Sequence, residues 1–161
     1  MRTLRLLFVC VCCLAALPLV AQRQPTPSQL PAFRFTDAQT GQPLTEASLR
    51  RGLNTVVLFF DPDCDHCQQQ AEWIADAAGQ FKNTQFLWIS TAPAARVIAF
   101  AQQYFTGTAL PMRWALDTEY KVDDYFGYST VPSLYIFGTS GRLKQTYRNE
   151  VAAELILSSL D

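Results

Sequence analysis

Two cysteines separated by two residues, Cys64 and Cys67, are the side chains of this sequence best suited to carry chemistry. They follow an apolar run over residues 56–60, typical of a buried strand, and precede a segment with helical periodicity. A strand that ends in a turn delivers Cys64 to the start of that helix, where unpaired backbone N–H groups and the helix dipole stabilise a thiolate. Because the thiolate is the form that attacks disulfides, the arrangement predicts thiol–disulfide exchange.

The spacing of the two cysteines allows them to form a reversible disulfide with each other. Cys64 would attack a substrate disulfide, and Cys67, one turn inside the helix, would then attack Cys64 and release the reduced substrate. No cofactor is expected beyond this redox-active pair. A structural staple usually closes a longer loop. A zinc site usually has four ligands, and after residue 21 the sequence offers no further Cys and only one His.

Charged residues inside and beside the motif are expected to tune Cys64. A protonated His66 favours the thiolate, whereas the carboxylates of Asp63 and Asp65 disfavour a second negative charge. A stabilised thiolate makes an oxidant and a destabilised one makes a reductant, so the balance between these effects stays open. The alternative is that His66 is merely exposed to solvent and that Asp63 or Asp65 caps the helix.

The first 21 residues have the pattern of a secretory signal peptide. Arg2 and Arg5 precede an apolar run over residues 6–21, which is shorter than the roughly 20 residues that span a bilayer. An uncleaved membrane anchor is the alternative. Cleavage would remove three further cysteines: Cys10, Cys12 and Cys13. Export to the periplasm or cell envelope would place the remaining pair in an oxidising compartment.

Residues 22–28 are polar with two prolines and predict a linker over 22–30, and residues 31–161 predict one folded domain. A net charge of −1 gives no reason to expect a nucleic-acid partner. The predicted fold is α/β, with a central mixed β-sheet flanked by helices on both faces. Strands are predicted over 55–60, 85–90, 133–137 and 143–147, and helices over 65–78, 94–105, 118–126 and 151–160.

With these elements placed, the chain resembles exported thioredoxin-fold proteins of the TlpA/ResA type, within the wider thioredoxin-like superfamily. The resemblance rests on the strand and motif at 56–67, on the segment 127–137 and on the hairpin turn at 138–142. Residues 31–53 are similar to the N-terminal hairpin of redoxins. The resemblance therefore implies a thioredoxin-like fold with an N-terminal redoxin-type hairpin extension.

The resemblance also implies roles for residues outside the motif. Pro132 would be a cis-proline beside the cysteine pair, and the backbone of Val131 would pair with the substrate chain like an added strand. Substrates would be proteins with thiols or disulfides, and an upstream redox partner would restore the pair. Membrane contact would come only through an uncleaved signal segment. The TlpA/ResA type often has Glu where this chain has Gln70, so Cys67 has no obvious proton acceptor.

Together these features predict an exported thiol–disulfide oxidoreductase that acts on proteins through its Cys-Asp-His-Cys motif, more as a reductant than as an oxidant. A thiol peroxidase is one alternative, although peroxiredoxins have Thr or Ser where this chain has Asp61, three residues before Cys64. A Cu(I) binding or delivery module is the other, with Cys64, His66 and Cys67 as soft ligands. Copper-handling relatives usually have a longer Cys spacing and a second His.

Overall fold

The sheet that carries the cysteine motif has seven strands. The structure is a computed structural model that describes residues 25–127 and 129–160. The strands are β1 (Arg34–Asp37), β2 (Pro43–Thr45), β3 (Asn54–Phe59), β4 (Thr84–Ser90), β5 (Met112–Leu116), β6 (Ser133–Phe137) and β7 (Leu143–Tyr147). The α-helices are α1 (Asp65–Asp76), α2 (Ala94–Phe105), α3 (Val122–Phe126) and α4 (Ala153–Ser158).

The strands lie in the order β2-β1-β5-β4-β3-β6-β7. β3 is parallel to β4 and β4 to β5, as expected for strands joined by crossover helices. β6 and β7 extend one side of this centre in antiparallel orientation, and the β1–β2 hairpin adds to β5 on the other side. The predicted mixed sheet and N-terminal hairpin are confirmed.

Alternate side chains of β3 enter two hydrophobic clusters, one on each face of the sheet. Val56 and Leu58 belong to the cluster that includes residues of α1, α2 and α4. Val57 belongs to the cluster that includes residues of α3 and the N-terminal hairpin. Helices therefore cover both faces, as predicted, and this explains why residues 56–59 of β3 form a continuous apolar run rather than an alternating one.

Phe60 follows β3 and packs where the loop that leads to the cysteines begins. Its side chain is 1% exposed, and its ring centroid lies 4.8 Å from that of Phe100, 5.2 Å from that of Trp88 and 6.0 Å from that of Trp114. The two tryptophan rings stack on each other at 5.3 Å. The loop that leads to Cys64 therefore begins on a tightly packed aromatic cluster.

Helix α3 begins later than the sequence predicts. The sequence predicts a helix over 118–126, but the helix starts only at Val122. The carboxylate of Asp117 accepts hydrogen bonds from the backbone N–H groups of Lys121 and Val122, both at 2.8 Å, and so caps the helix at that point. Tyr120, with φ of +56°, turns the chain in the left-handed region just before it.

Part of the predicted linker lies against the hairpin of β6 and β7. The backbone N–H of Leu30 donates to the carbonyl of Gly141 at 2.8 Å, and the N–H of Leu143 donates to the carbonyl of Ser28 at 2.9 Å. These residues thereby extend the sheet edge beyond β7.

The predicted signal peptide, residues 1–21, lies outside the described residues. Across 25–127 and 129–160, no helix combines the length and apolar character needed to span a bilayer.

Candidate active site

Cys64 lies where the loop after β3 meets α1. It is the N-cap residue of the helix, and its carbonyl accepts hydrogen bonds from the N–H groups of Cys67 (2.9 Å) and Gln68 (3.0 Å). Its side chain, which is half-buried, makes no capping hydrogen bond, so a sulfur stands where a capping oxygen is usual. A sulfur at this end of a helix is near unpaired N–H groups and the positive end of the dipole.

The predicted helix cap by an aspartate is wrong. Asp63 precedes the N-cap and its carboxylate pairs with the guanidinium of Arg96, on α2. Asp65 follows the N-cap and lies exposed in the first turn, where a carboxylate favours the helix dipole without capping it. The carboxylate of Asp61 accepts a hydrogen bond from the N–H of Asp63 at 2.8 Å and so shapes the loop.

Cys67 lies one turn into α1 and is fully buried in the cluster beneath the helix. Burial raises the pKa of its thiol well above the usual range, and Cys64 and the charge on Asp61 act in the same direction. A backbone hydrogen bond from Asp61 opposes this effect. The two cysteines are free thiols, and the pair therefore combines an accessible sulfur with an enclosed one that stays protonated at neutral pH.

The raised pKa of Cys67 predicts a pH-dependent stability for the reduced protein. The folded state keeps this proton, whereas the unfolded state loses it as pH passes about 9. The stabilisation is therefore complete below that pH and is lost above it, by up to about 1.4 kcal/mol per pH unit. Urea denaturation at pH 8 and pH 10 measures this effect. The free energy of unfolding should fall less between the two pH values for Cys67→Ala than for the wild type. Equal falls would contradict the assignment.

Val131 and Pro132 lie at the same end of the sheet as the cysteine loop. The peptide bond between them is cis, and the register of β3 and β6 sets Phe59 opposite Ser133. Pro132 is buried and Val131 is 38% exposed. The hydroxyl of Thr130 donates to the carbonyl of Arg148 at 3.0 Å and ties this loop to the segment after β7.

His66, the second residue of α1, has a partner that the sequence does not reveal. Its Nδ1 lies 2.8 Å from Oε1 of Glu150, a residue 84 positions away in the chain. The imidazole is 69% exposed, so the expectation of a solvent-exposed histidine is met in part. The ring is nevertheless held by a carboxylate.

Gln70 is buried one turn after His66 and does not stand in for the missing acid. Its side-chain Nε2 donates to the carbonyl of Val151 at 3.0 Å, and its Oε1 accepts from the N–H of Val151 at 2.8 Å. The amide thus satisfies both backbone groups of one residue, so it joins α1 to the segment that leads into α4.

Gln70→Ala should destabilise the protein by about 1–3 kcal/mol, because it leaves the buried N–H and carbonyl of Val151 without their partner. The matched control is Gln69→Ala, which removes an amide that donates to the exposed Glu72 and should change stability by less than about 0.5 kcal/mol. Chemical denaturation measures both. Similar losses in the two variants would show that the buried pair contributes little.

Within the described parts of the chain, no group of three or more His, Cys, Asp or Glu side chains is arranged to hold a metal ion. The imidazole of His66 bonds instead to Glu150.

Solved structures show the same fold. DsbF of Mycobacterium tuberculosis, in its mixed oxidized and reduced forms, has a TM-score of 0.67 and 20% identity, over 84% of this chain and 96% of that chain. A secreted disulfide oxidoreductase of the same organism is homologous to E. coli DsbE. It has a TM-score of 0.61 and 22% identity, over 80% of this chain and 96% of that chain. The peroxidoxin BcpB of M. tuberculosis has a TM-score of 0.67 and 18% identity, over 83% of this chain and 94% of that chain.

No curated protein matches the sequence significantly. The sequence profile of the AhpC/TSA family matches residues 27–146, a stretch that runs from before β1 to β7 and includes both cysteines. The predicted resemblance to the thioredoxin-like superfamily is confirmed, as is the predicted class of enzyme. The chain belongs to the AhpC/TSA family, whose members have a thioredoxin-like fold.

Proposed function

We propose that this protein exchanges disulfides with other proteins through Cys64 and Cys67 and works mainly as a reductant. The observation that carries the proposal is the pairing of a half-buried sulfur at a helix N-cap with a fully buried sulfur one turn later. An accessible sulfur can meet a large substrate, whereas the enclosed one reacts only with its neighbour. This asymmetry is what a nucleophile and a resolving thiol require.

The reaction proceeds in two exchanges. The Cys64 thiolate attacks a substrate disulfide, so a bond between Cys64 and one substrate sulfur forms, and the other substrate sulfur leaves and takes up a proton. Cys67 then loses its proton and attacks Cys64, which releases the second substrate sulfur as a thiol. Two electrons pass from the cysteine pair to the substrate, and an upstream reductant restores the pair.

The charge around the pair supports the reducing direction. Burial and the Asp61 carboxylate disfavour a thiolate at Cys67. Asp65, exposed beside the N-cap, adds negative charge near the attacking sulfur. A dithiol in which the Cys67 thiolate is disfavoured gives up its electrons more readily, which lowers the reduction potential of the pair.

Val131 and Pro132 are proposed as the docking site for the substrate backbone. Both lie at the sheet end where the cysteine loop emerges, and Val131 is a large hydrophobic residue left exposed there. A substrate strand that pairs with this loop would place its disulfide beside Cys64. Export to the periplasm or cell envelope is also part of the proposal; the sequence of residues 1–21 and the fold shared with a secreted oxidoreductase support it.

Equilibration with glutathione buffers tests the direction. The proposal predicts a potential for the Cys64–Cys67 pair near or below that of thioredoxin, about −270 mV. Peptide mapping after rapid acid quenching separates this pair from Cys10, Cys12 and Cys13. A potential near −120 mV, as in strong periplasmic oxidants, would overturn the reductant assignment. Failure to form the disulfide at any ratio would overturn the proposed function itself.

A thiol peroxidase is the second candidate, because the family profile and the fold shared with a peroxidoxin both favour it. Against it, the carboxylate of Asp61 lies in the loop before Cys64, where a hydroxyl would help to position peroxide. Peroxide consumption, measured for the wild type, Cys64→Ser and Asp61→Thr, distinguishes the thiol peroxidase from the protein disulfide reductase. Rapid, Cys64-dependent consumption by the wild type would establish the peroxidase.

A further inference from the structure

The contact between His66 and Glu150 joins the cysteine motif to a distant part of the chain. His66 lies two residues after Cys64 at the start of α1, and Glu150 lies in the segment between β7 and α4. The carboxylate is 27% exposed and bonds to Nδ1 at 2.8 Å. With Nδ1 engaged by Glu150, Nε2 is the ring nitrogen that remains to exchange a proton.

Glu150 is held from both sides by its neighbours in the chain. The next residue, Val151, makes two hydrogen bonds to the buried amide of Gln70 on α1. Two residues earlier, the carbonyl of Arg148 accepts a hydrogen bond from Thr130, in the cis-proline loop. The segment 148–151 thus contacts both halves of the candidate site, and Glu150 is presented from a fixed backbone rather than from a free loop.

Arg148 is itself fixed by further contacts. Its guanidinium donates to the hydroxyl of Tyr135 on β6 at 2.6 Å and to the hydroxyl of Thr26 at 3.0 Å. The guanidinium carbon also lies 5.1 Å from the centre of the Tyr135 ring. These contacts tie the start of the segment that carries Glu150 to β6.

Glu150, rather than the acids next to His66 in the sequence, is the carboxylate bonded to the imidazole. Asp63, the nearest acid on the other side of Cys64, is engaged by Arg96. Asp65 precedes His66 in the first turn of α1, where it lies exposed. The pKa of Glu150 is lowered, first by a hydrogen bond from its own backbone N–H and then by the hydrogen bond and charge of His66, whereas desolvation opposes this effect.

We propose that Glu150 is a positioning residue for disulfide exchange: its carboxylate holds the His66 imidazole at the helix start, where Nε2 shuttles the proton of Cys64. This rests on the proposed function. The thiol of Cys64 gives its proton to Nε2 and attacks the substrate disulfide. A bond forms between Cys64 and one substrate sulfur, the substrate S–S bond breaks, and the departing sulfur takes the proton from the imidazolium.

The rate of Cys64 carbamidomethylation by iodoacetamide at pH 7, followed by peptide mapping of the reduced full chain, tests this role. Glu150→Gln should slow labelling about two- to five-fold, because an exposed ion pair usually contributes no more free energy than this factor represents. Glu154→Gln, which neutralises an exposed acid on α4, is the control and should leave the rate unchanged. In a His66→Ala background, Glu150→Gln should have no effect, because its partner is gone.

A spectroscopic readout separates positioning from structural support. His66 is the only histidine of the chain, so its ring ¹⁵N signals can be assigned without ambiguity. The Nδ1–H tautomer should be populated in the wild type and reduced in Glu150→Gln. Unchanged tautomers, unchanged labelling, or equal slowing in the His66→Ala background would each overturn the proposal.

The failure of this inference is distinguishable from failure of the proposed function. Reduction of insulin disulfides by the wild type is measured in the same preparation. An active wild type whose Cys64 labelling ignores Glu150→Gln would refute the positioning role alone. A wild type that reduces no disulfide would refute the proposed function, whatever the labelling rates.

Discussion

Cys64→Ser should reduce insulin-disulfide reduction to the uncatalysed rate, because a serine hydroxyl forms no mixed disulfide under these conditions. Cys67→Ala should also stop turnover, but for a different reason. Its Cys64 still attacks, and the mixed disulfide then accumulates because the neighbouring sulfur that resolves it is absent. Intramolecular reactions of well-placed groups have large effective molarities, so the loss of turnover should reach roughly a thousandfold or more.

The two variants are matched controls for each other. Non-reducing electrophoresis should reveal a substrate adduct in Cys67→Ala and none in Cys64→Ser. Mass spectrometry should place the adduct on Cys64. If Cys67→Ala turns over like the wild type, the enclosed sulfur is not the resolving thiol. If Cys64→Ser forms the adduct through Cys67, the roles of the two cysteines are reversed.

Phe60→Ala should destabilise the protein by about 3–5 kcal/mol, the range for removing a buried aromatic side chain from a packed core. The ring is buried against Phe100, Trp88 and Trp114. It also fixes the backbone four residues before Cys64, so disulfide exchange should slow even under conditions where the variant is folded. Thermal denaturation and insulin reduction at low temperature measure the two effects separately.

Phe59→Ala is the matched control for that variant. Phe59 is the last residue of β3, is only half-buried and packs on the opposite face of the sheet. Its loss should cost clearly less stability, since less apolar surface is buried there. Equal losses for the two phenylalanines would show that the aromatic cluster beneath the motif is not the main support of the loop.

The parts of the site that depend on neighbouring residues could be predicted from the sequence. A continuous apolar run identified β3, and the helical periodicity after it placed Cys64 and Cys67 at the start of α1. The strand over 133–137 was predicted with its observed bounds. The resemblance predicts the fold, and the fold pairs the end of β3 with the start of β6. It therefore also predicts that Pro132 lies at the end of the sheet that carries the motif.

The parts that depend on distant residues could not be predicted. Glu150 lies 84 residues from His66, and Arg96 lies 33 residues from Asp63, so no local pattern pairs them. At Gln70 the sequence shows only that an acid is missing, whereas the structure shows its amide bonded to a backbone 81 residues away. Residue preference alone favours an aspartate as the helix cap, but the loop geometry puts Cys64 at that position.

The central claim is that the two sulfurs differ in accessibility, one open to substrate and the other enclosed. Brief treatment of the reduced native protein with iodoacetamide, followed by unfolding, a second label and peptide mapping, measures this directly. The account predicts the first label on Cys64 and only the second label on Cys67. First-label incorporation at Cys67 as fast as at Cys64, or faster, would contradict it.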